Sequence, residues 1–292
     1  MIKIVLTSFV ATSLFAFKID SYKPIKGCTN INGNEFRVLR EIKIKNKKMF
    51  LSVNTSSLNT KYLQNIGVLN KCNPKSRYKT ILNYATTPPY PLENDGLTHG
   101  SKGLYLTTDL CPSSKSGFED RLYKNLIKTF PKPVPVTLFI TKRWINKHKK
   151  EFEQFKTWQK ENLLNISWGN HTAKHIYHPK AKLKHNFILS PEENLPKDIL
   201  DLKTTLIENG VKPSIFFRFP GLISDKKSVQ IVKNLGLIPI GSNAWLAKGQ
   251  KPKNGSIILV HGNKNEPIGI DIFLKLLKNG KIRELDDIKN IR

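Results

Sequence analysis

Hydrophobic and polar positions change texture near residue 103. Before it, short mixed runs at 36–39 and 48–53, with a turn signal at Asn32-Gly33, predict a few short strands and little helical periodicity. After it, apolar runs alternate with amphipathic stretches. Strands are expected at 104–109, 134–140, 165–168, 215–218, 237–240 and 256–260, with a last short one at 281–285. Between them the 3.6-residue period predicts helices at 118–130, 143–162, 191–209, 226–234 and 270–277. Strands alternating with helices make an α/β fold with a mostly parallel sheet, open or closed into a barrel. Working residues in such folds gather at the carboxyl ends of the strands, where Asp109, the 170–175 segment, Arg218, the 242–245 segment and His261 fall.

The remaining chain divides around this pattern. A basic start and a short apolar run over residues 1–16 read as a signal peptide, too short for a comfortable membrane span. Residues 17–97 form a small accessory region, ending in a stiff linker at Thr87-Pro88-Pro89-Tyr90-Pro91. Residues 98–292 carry the alternating pattern and the candidate chemistry. Three cysteines in an exported chain allow at most one internal disulfide; Cys28 and Cys72 are the natural pair, which leaves Cys111 free. The net charge of +27 comes mostly from lysines spread along the whole length. Such dispersion argues against a nucleic-acid partner, which needs clustered cations with interleaved aromatics, and suits anionic envelope polymers.

The candidate chemistry begins at Asn170-His171-Thr172-Ala173-Lys174-His175. Histidines four residues apart share one face of a helical turn, where both imidazoles reach a single metal ion. Asp109 is the single acid in the segments that accompany this pair.

Five segments, Thr107-Thr108-Asp109, Asn170 to His175, Arg218-Phe219-Pro220-Gly221, Trp245 and Leu259-Val260-His261, resemble in order and spacing the polysaccharide deacetylases, the family-four carbohydrate esterases. The resemblance covers residues 100 to 290 and leaves the accessory region unexplained. It implies a distorted (β/α) barrel and removal of acetyl groups from N-acetylated sugars with a divalent metal, zinc, held by His171 and His175. Asp109 corresponds to the base, Arg218 to the residue that pairs with it, His261 to the acid, and Trp245 and Pro220 to the substrate pocket. The family's first strand usually ends in two aspartates, and here Leu110 replaces the second. The third ligand is then Asp109, serving as ligand, base or both, or Cys111 two residues on. The aspartate that usually orients the acid histidine is also absent from Gly241-Ser242-Asn243-Ala244, which leaves His261 to another partner.

The reading is an exported, periplasmic or secreted hydrolase removing N-acetyl, or O-acetyl, groups from an envelope or extracellular polysaccharide such as peptidoglycan. Its competitor is a catalytically silent carbohydrate-binding descendant of the same fold, which would have no need of the histidine pair. No stable membrane span is expected once the signal is cleaved.

Overall fold

The computed structural model describes residues 18–291, so the expected signal peptide lies outside the described residues. Two sheets organise the chain. The first is antiparallel and is built from β1 (Ser21–Pro24), β2 (Cys28–Ile31), β3 (Asn34–Ile44), β4 (Lys47–Asn54) and β5 (Thr60–Leu63), in the order β1-β3-β4-β5 with β2 pairing β3. Cys28 and Cys72 form the expected disulfide, while Cys111 is free and buried. A helix the pattern did not announce, α1 (Arg77–Tyr84), follows. It buries Tyr78 and Leu82, one turn apart, and Tyr78 donates its hydroxyl proton to the Gly236 carbonyl at 3.0 Å.

The second sheet is parallel. It comprises β6 (Leu104–Leu110), β7 (Val134–Ile140), β8 (Leu164–Asn170), β9 (Phe216–Phe217), β10 (Ile238–Pro239), β11 (Ala244–Trp245) and β12 (Ser256–His261). Its order is β10-β9-β8-β7-β6-β12-β11, a curled half-barrel. The helices are α2 (Asp120–Thr129), α3 (Lys142–Lys147), α4 (Lys149–Lys160), α5 (Leu195–Glu208), α6 (Lys226–Asn234) and α7 (Pro267–Lys278). The single helix expected at 143–162 is broken at His148, whose φ of −115° and ψ of 50° leave the helical region. Its ring stacks on Trp144 at 5.0 Å, a contact that the apolar period cannot reveal. The strand expected at 281–285 is irregular chain: only Ile282 is buried there, and pairing is confined to the neighbouring Asp286 amide, which donates to the Leu104 carbonyl at 2.7 Å.

Both faces of the half-barrel are covered. Leu106, Leu110, Val136, Leu138, Ile166 and Trp168 pack against the helices on the outer side. On the inner side Phe139, Phe216, Ile238 and Ile257 meet Leu39, Val53, Leu58, Tyr78 and Leu82 of the N-terminal region. Each such buried side chain contributes about 1.5–3 kcal/mol, so the accessory sheet and the barrel share one core. The stretch after the proline run is also woven into the barrel, through bridges of Glu93 with Ile223, Leu97 with Ile240 and His99 with Ser256. Among the described residues no helix is long and apolar enough to cross a membrane.

Candidate active site

Strand alternation sets one wall of the site. Thr107 and Asp109 of β6 point into the half-barrel, while Leu110 packs into the outer core. Arg218 follows β9 and is fully buried. Its guanidinium donates to Thr107 Oγ1 at 2.8 Å, Asp109 Oδ1 at 2.7 Å, the Ile240 carbonyl at 3.2 Å and the Gly241 carbonyl at 2.8 Å. It also lies 4.3 Å from the centre of the Phe139 ring. Burial lowers Arg218's hold on its proton, and the charge and hydrogen bond of Asp109 offset that in part. The result is an ionised pair in fixed geometry, with Asp109 Oδ2 turned toward His171 Nε2 at 3.7 Å.

The two histidines reach the site differently from the expectation. Residues 171–176 are an irregular loop rather than a helical turn, with left-handed conformations at Thr172 (φ 66°) and His175 (φ 49°). Side chains hold this loop where helical bonds would have. Asn170 accepts from the Thr172 amide, Thr172 Oγ1 accepts from the His175 amide, and the buried Asp198 of α5 accepts from the Lys174 amide. The rings still converge, their centroids 4.8 Å apart. His171 Nδ1 donates to the Arg218 carbonyl at 2.9 Å, which leaves the Nε2 lone pair facing the cavity.

Cys111 completes the cluster. It lies two residues beyond Asp109, and Asn263 Nδ2 donates to its carbonyl at 2.9 Å. Its Sγ stands 3.5 Å from His171 Nε2, and one donor atom from each of Cys111, His171 and His175 lies within 4.8 Å of the others. Burial would raise the thiol's pKa, but the charges of His175 and His171 outweigh it and pull Cys111 well below the usual thiol range. The fit to a metal rests on these atoms: His175 Nε2 is buried without a hydrogen-bond partner, and a thiolate with two imidazoles is a donor set suited to zinc. Asp109 stands beside this trio, engaged by Arg218.

The opposite wall carries His261, at the end of β12. Its Nδ1 donates to Glu266 Oε2 at 2.7 Å, and the same oxygen accepts from Trp245 Nε1 at 2.9 Å. Glu266, five residues on at the start of α7, is the partner that motif matching missed; an acid closely following the strand-end histidine was its only signal in the sequence. Burial opposes the charged imidazole, but interaction with Cys111, the bond to Glu266 and the charge of Asp109 raise His261 well above its usual value. Trp245 stands with its ring 5.7 Å from that of His261 and carries the Lys248 ammonium 4.0 Å from its ring centre.

Asp109, Cys111, His171, His175, Trp245 and His261 line a cavity of about 630 Å³. Pro220 is buried in the short turn at 220–222, and the cavity wall there is made by Gly221 and Leu222. Gly221, at φ 64°, lets the Phe187 ring approach to 2.6 Å from where a Cβ would stand.

Comparison with known proteins agrees with this architecture. Residues 96–240 match the model of the polysaccharide deacetylase family. A family 4 carbohydrate esterase from Bacillus anthracis is 18% identical, with a TM-score of 0.50 over 73% of this chain and 90% of its own. A peptidoglycan N-acetylglucosamine deacetylase is 16% identical, with a TM-score of 0.47 over 67% of this chain and 91% of its own. The chitin deacetylase of the fungal pathogen Colletotrichum lindemuthianum is 17% identical, with a TM-score of 0.47 over 66% of this chain and 88% of its own. Through residues 96–240 the chain belongs to the polysaccharide deacetylase family.

Proposed function

We propose that this protein is an exported, metal-dependent deacetylase that hydrolyses the N-acetyl group of a hexosamine in an envelope or extracellular polysaccharide, peptidoglycan being the first candidate, with O-acetyl esters open to the same chemistry. The observation that carries the reading is the convergence, in one cavity, of a soft ligand trio with a carboxylate on one side and an acid histidine on the other. Export is supported by the Cys28–Cys72 disulfide, a bond that persists in oxidising compartments.

Cys111, His171 and His175 would hold the ion, taken as zinc. When bound, it supplies Lewis acidity, polarising the acyl carbonyl and acidifying water. Asp109 Oδ2 takes the proton of the attacking water while Arg218, bonded to Oδ1, fixes the carboxylate's orientation. His261, charged and held by Glu266, gives its proton to the leaving nitrogen, and the amine departs as the carbon–nitrogen bond breaks. Trp245 forms the side of the pocket that receives the acetyl methyl group.

Metal content and acetate release test the proposal together. The purified protein should hold about one zinc per chain, as a single three-ligand site requires, and the His171→Ala, His175→Ala double variant should hold none. Cobalt-substituted protein should show a thiolate-to-metal charge-transfer band in the near ultraviolet, absent in Cys111→Ser. A protein that takes up no metal, or one that releases no acetate from acetylated glycans when loaded, would favour a silent carbohydrate-binding protein.

A further inference from the structure

A second, larger depression of about 780 Å³ lies away from the acetyl pocket. Its position follows from the sheet. β8 and β9 share a single ladder pair, Asn170 with Phe217, and the Ser214 amide still bonds the Trp168 carbonyl at 2.9 Å; before that point, residues 165–167 of β8 and the chain at 210–212 line the two sides of a groove. Leu58, Asn59 and Thr60, where the accessory sheet begins its last strand, form the facing wall. The groove therefore sits toward the amino-terminal ends of the strands, whereas Asp109, His171, Arg218 and His261 sit at the carboxyl ends.

Its lining is cationic and rich in hydrogen-bonding groups. Lys156, Lys160, Lys212 and Lys289 line it against one acid, Glu153. Glu153 is engaged by Lys156 at 2.9 Å, and Lys289 is paired with Asp287 at 3.0 Å. Burial and the nearby ammonium groups of Lys289 and Lys61 push Lys212 below its usual range, the mark of cations crowded against each other. On the floor, Ser167 is more than nine-tenths buried, and its Oγ has no hydrogen-bond partner. Beside it Trp168 is pinned by its indole proton to Gln159 Oε1 at 2.7 Å, and Asn59 and Thr157 add polar groups to the walls. Cations together with amides, hydroxyls and an unsatisfied buried oxygen suit a ligand carrying both negative charge and hydroxyl groups.

We propose that this groove binds an acidic oligosaccharide, its carboxylates held by Lys160 and Lys212 and a sugar hydroxyl bonded to Ser167 Oγ, so that the enzyme grips an anionic glycan at a place separate from the acetyl pocket. This does not rest on the metal centre, and binding is measured without acetate release.

The test titrates the intact protein calorimetrically at physiological salt with oligogalacturonate, and with inorganic polyphosphate and a neutral chito-oligosaccharide for comparison. Lys160→Gln, Lys212→Gln should weaken oligogalacturonate binding by about tenfold or more. A control with the same change in charge, Lys226→Gln, Lys227→Gln on α6, should stay within about twofold. Ser167→Ala should weaken oligogalacturonate and leave polyphosphate unchanged. Equal weakening in both lysine pairs would mean that diffuse surface charge does the binding and would overturn the proposal. So would the absence of oligogalacturonate binding, equal affinity for the neutral glycan, or polyphosphate binding as tightly with Ser167→Ala indifferent to ligand.

Discussion

Arg218 and Lys203 are both fully buried cations, and the protein treats them in opposite ways. Arg218 meets a carboxylate, a hydroxyl and two carbonyls. Lys203, on α5, has no carboxylate within 4.0 Å among the described residues; its charged neighbour is Arg40. Burial, aided by the Arg40 charge, lowers its pKa to about 7. The cation of the candidate site keeps its charge because the strand ends around it supply a carboxylate, a hydroxyl and two carbonyls to receive it. Lys203 can give up its proton, and its burial is a cost that the shared core must offset.

Removing the well-received charge should do the most damage. Arg218→Met leaves Asp109 buried and unpaired; a loss of about 3–5 kcal/mol is expected by denaturant titration, with acetate release abolished. Unaltered stability would show that the pair is not held as described. Next, Lys203→Met should behave in the opposite sense. The unfolded lysine binds its proton below about 10.4 and the folded one only below about 7. Wild-type stability is therefore lowered progressively as pH falls between these values and stays lowered below them. The variant should be more stable than wild type at pH 6 by up to about 4 kcal/mol, and the gap should close by pH 10.5. A gap that does not change with pH would assign the effect to packing.

Asp109→Asn sharpens the comparison, because the neutral amide keeps the shape and removes the charge that Arg218 was buried to meet. Acetate release should fall by about 10²–10⁴-fold, with a smaller stability loss than for Arg218→Met. The smallest effect belongs to His261, which is only partly buried. Glu266→Gln should slow turnover by about 10–100-fold, the range for removing a group that orients a working side chain, with little change in the thermal midpoint. A loss as large as that of Asp109→Asn would place Glu266 in direct contact with the reacting atoms.

The contrast also explains what the sequence made legible. β6, β7 and β12 follow from apolar runs whose alternate residues face two cores, and Arg218 is recognisable from the motif around it. The histidine spacing was informative for the wrong reason: the rings converge through a loop tied by Asn170, Thr172 and Asp198, and no local period encodes those side-chain bonds. Asp198 lies 23 residues beyond His175 on another element, so its part appears only in three dimensions. Glu266 is not legible from the motif because the family's usual partner of the acid histidine precedes it, beside Trp245, whereas Glu266 follows it at the start of α7. α1 was missed because its two buried residues depend on contacts with distant parts of the barrel, among them Tyr78 with Gly236.

Arg218 holds Asp109 by its side chain and His171 by its carbonyl. One residue thus serves two halves of the site through two chemically independent handles. Swapping the side chain severs one handle, whereas shifting the backbone severs both. A one-residue insertion beside position 218 is therefore a harsher lesion than any replacement of the arginine itself, and tolerance to insertions across this segment should be near zero even where tolerance to substitution is not.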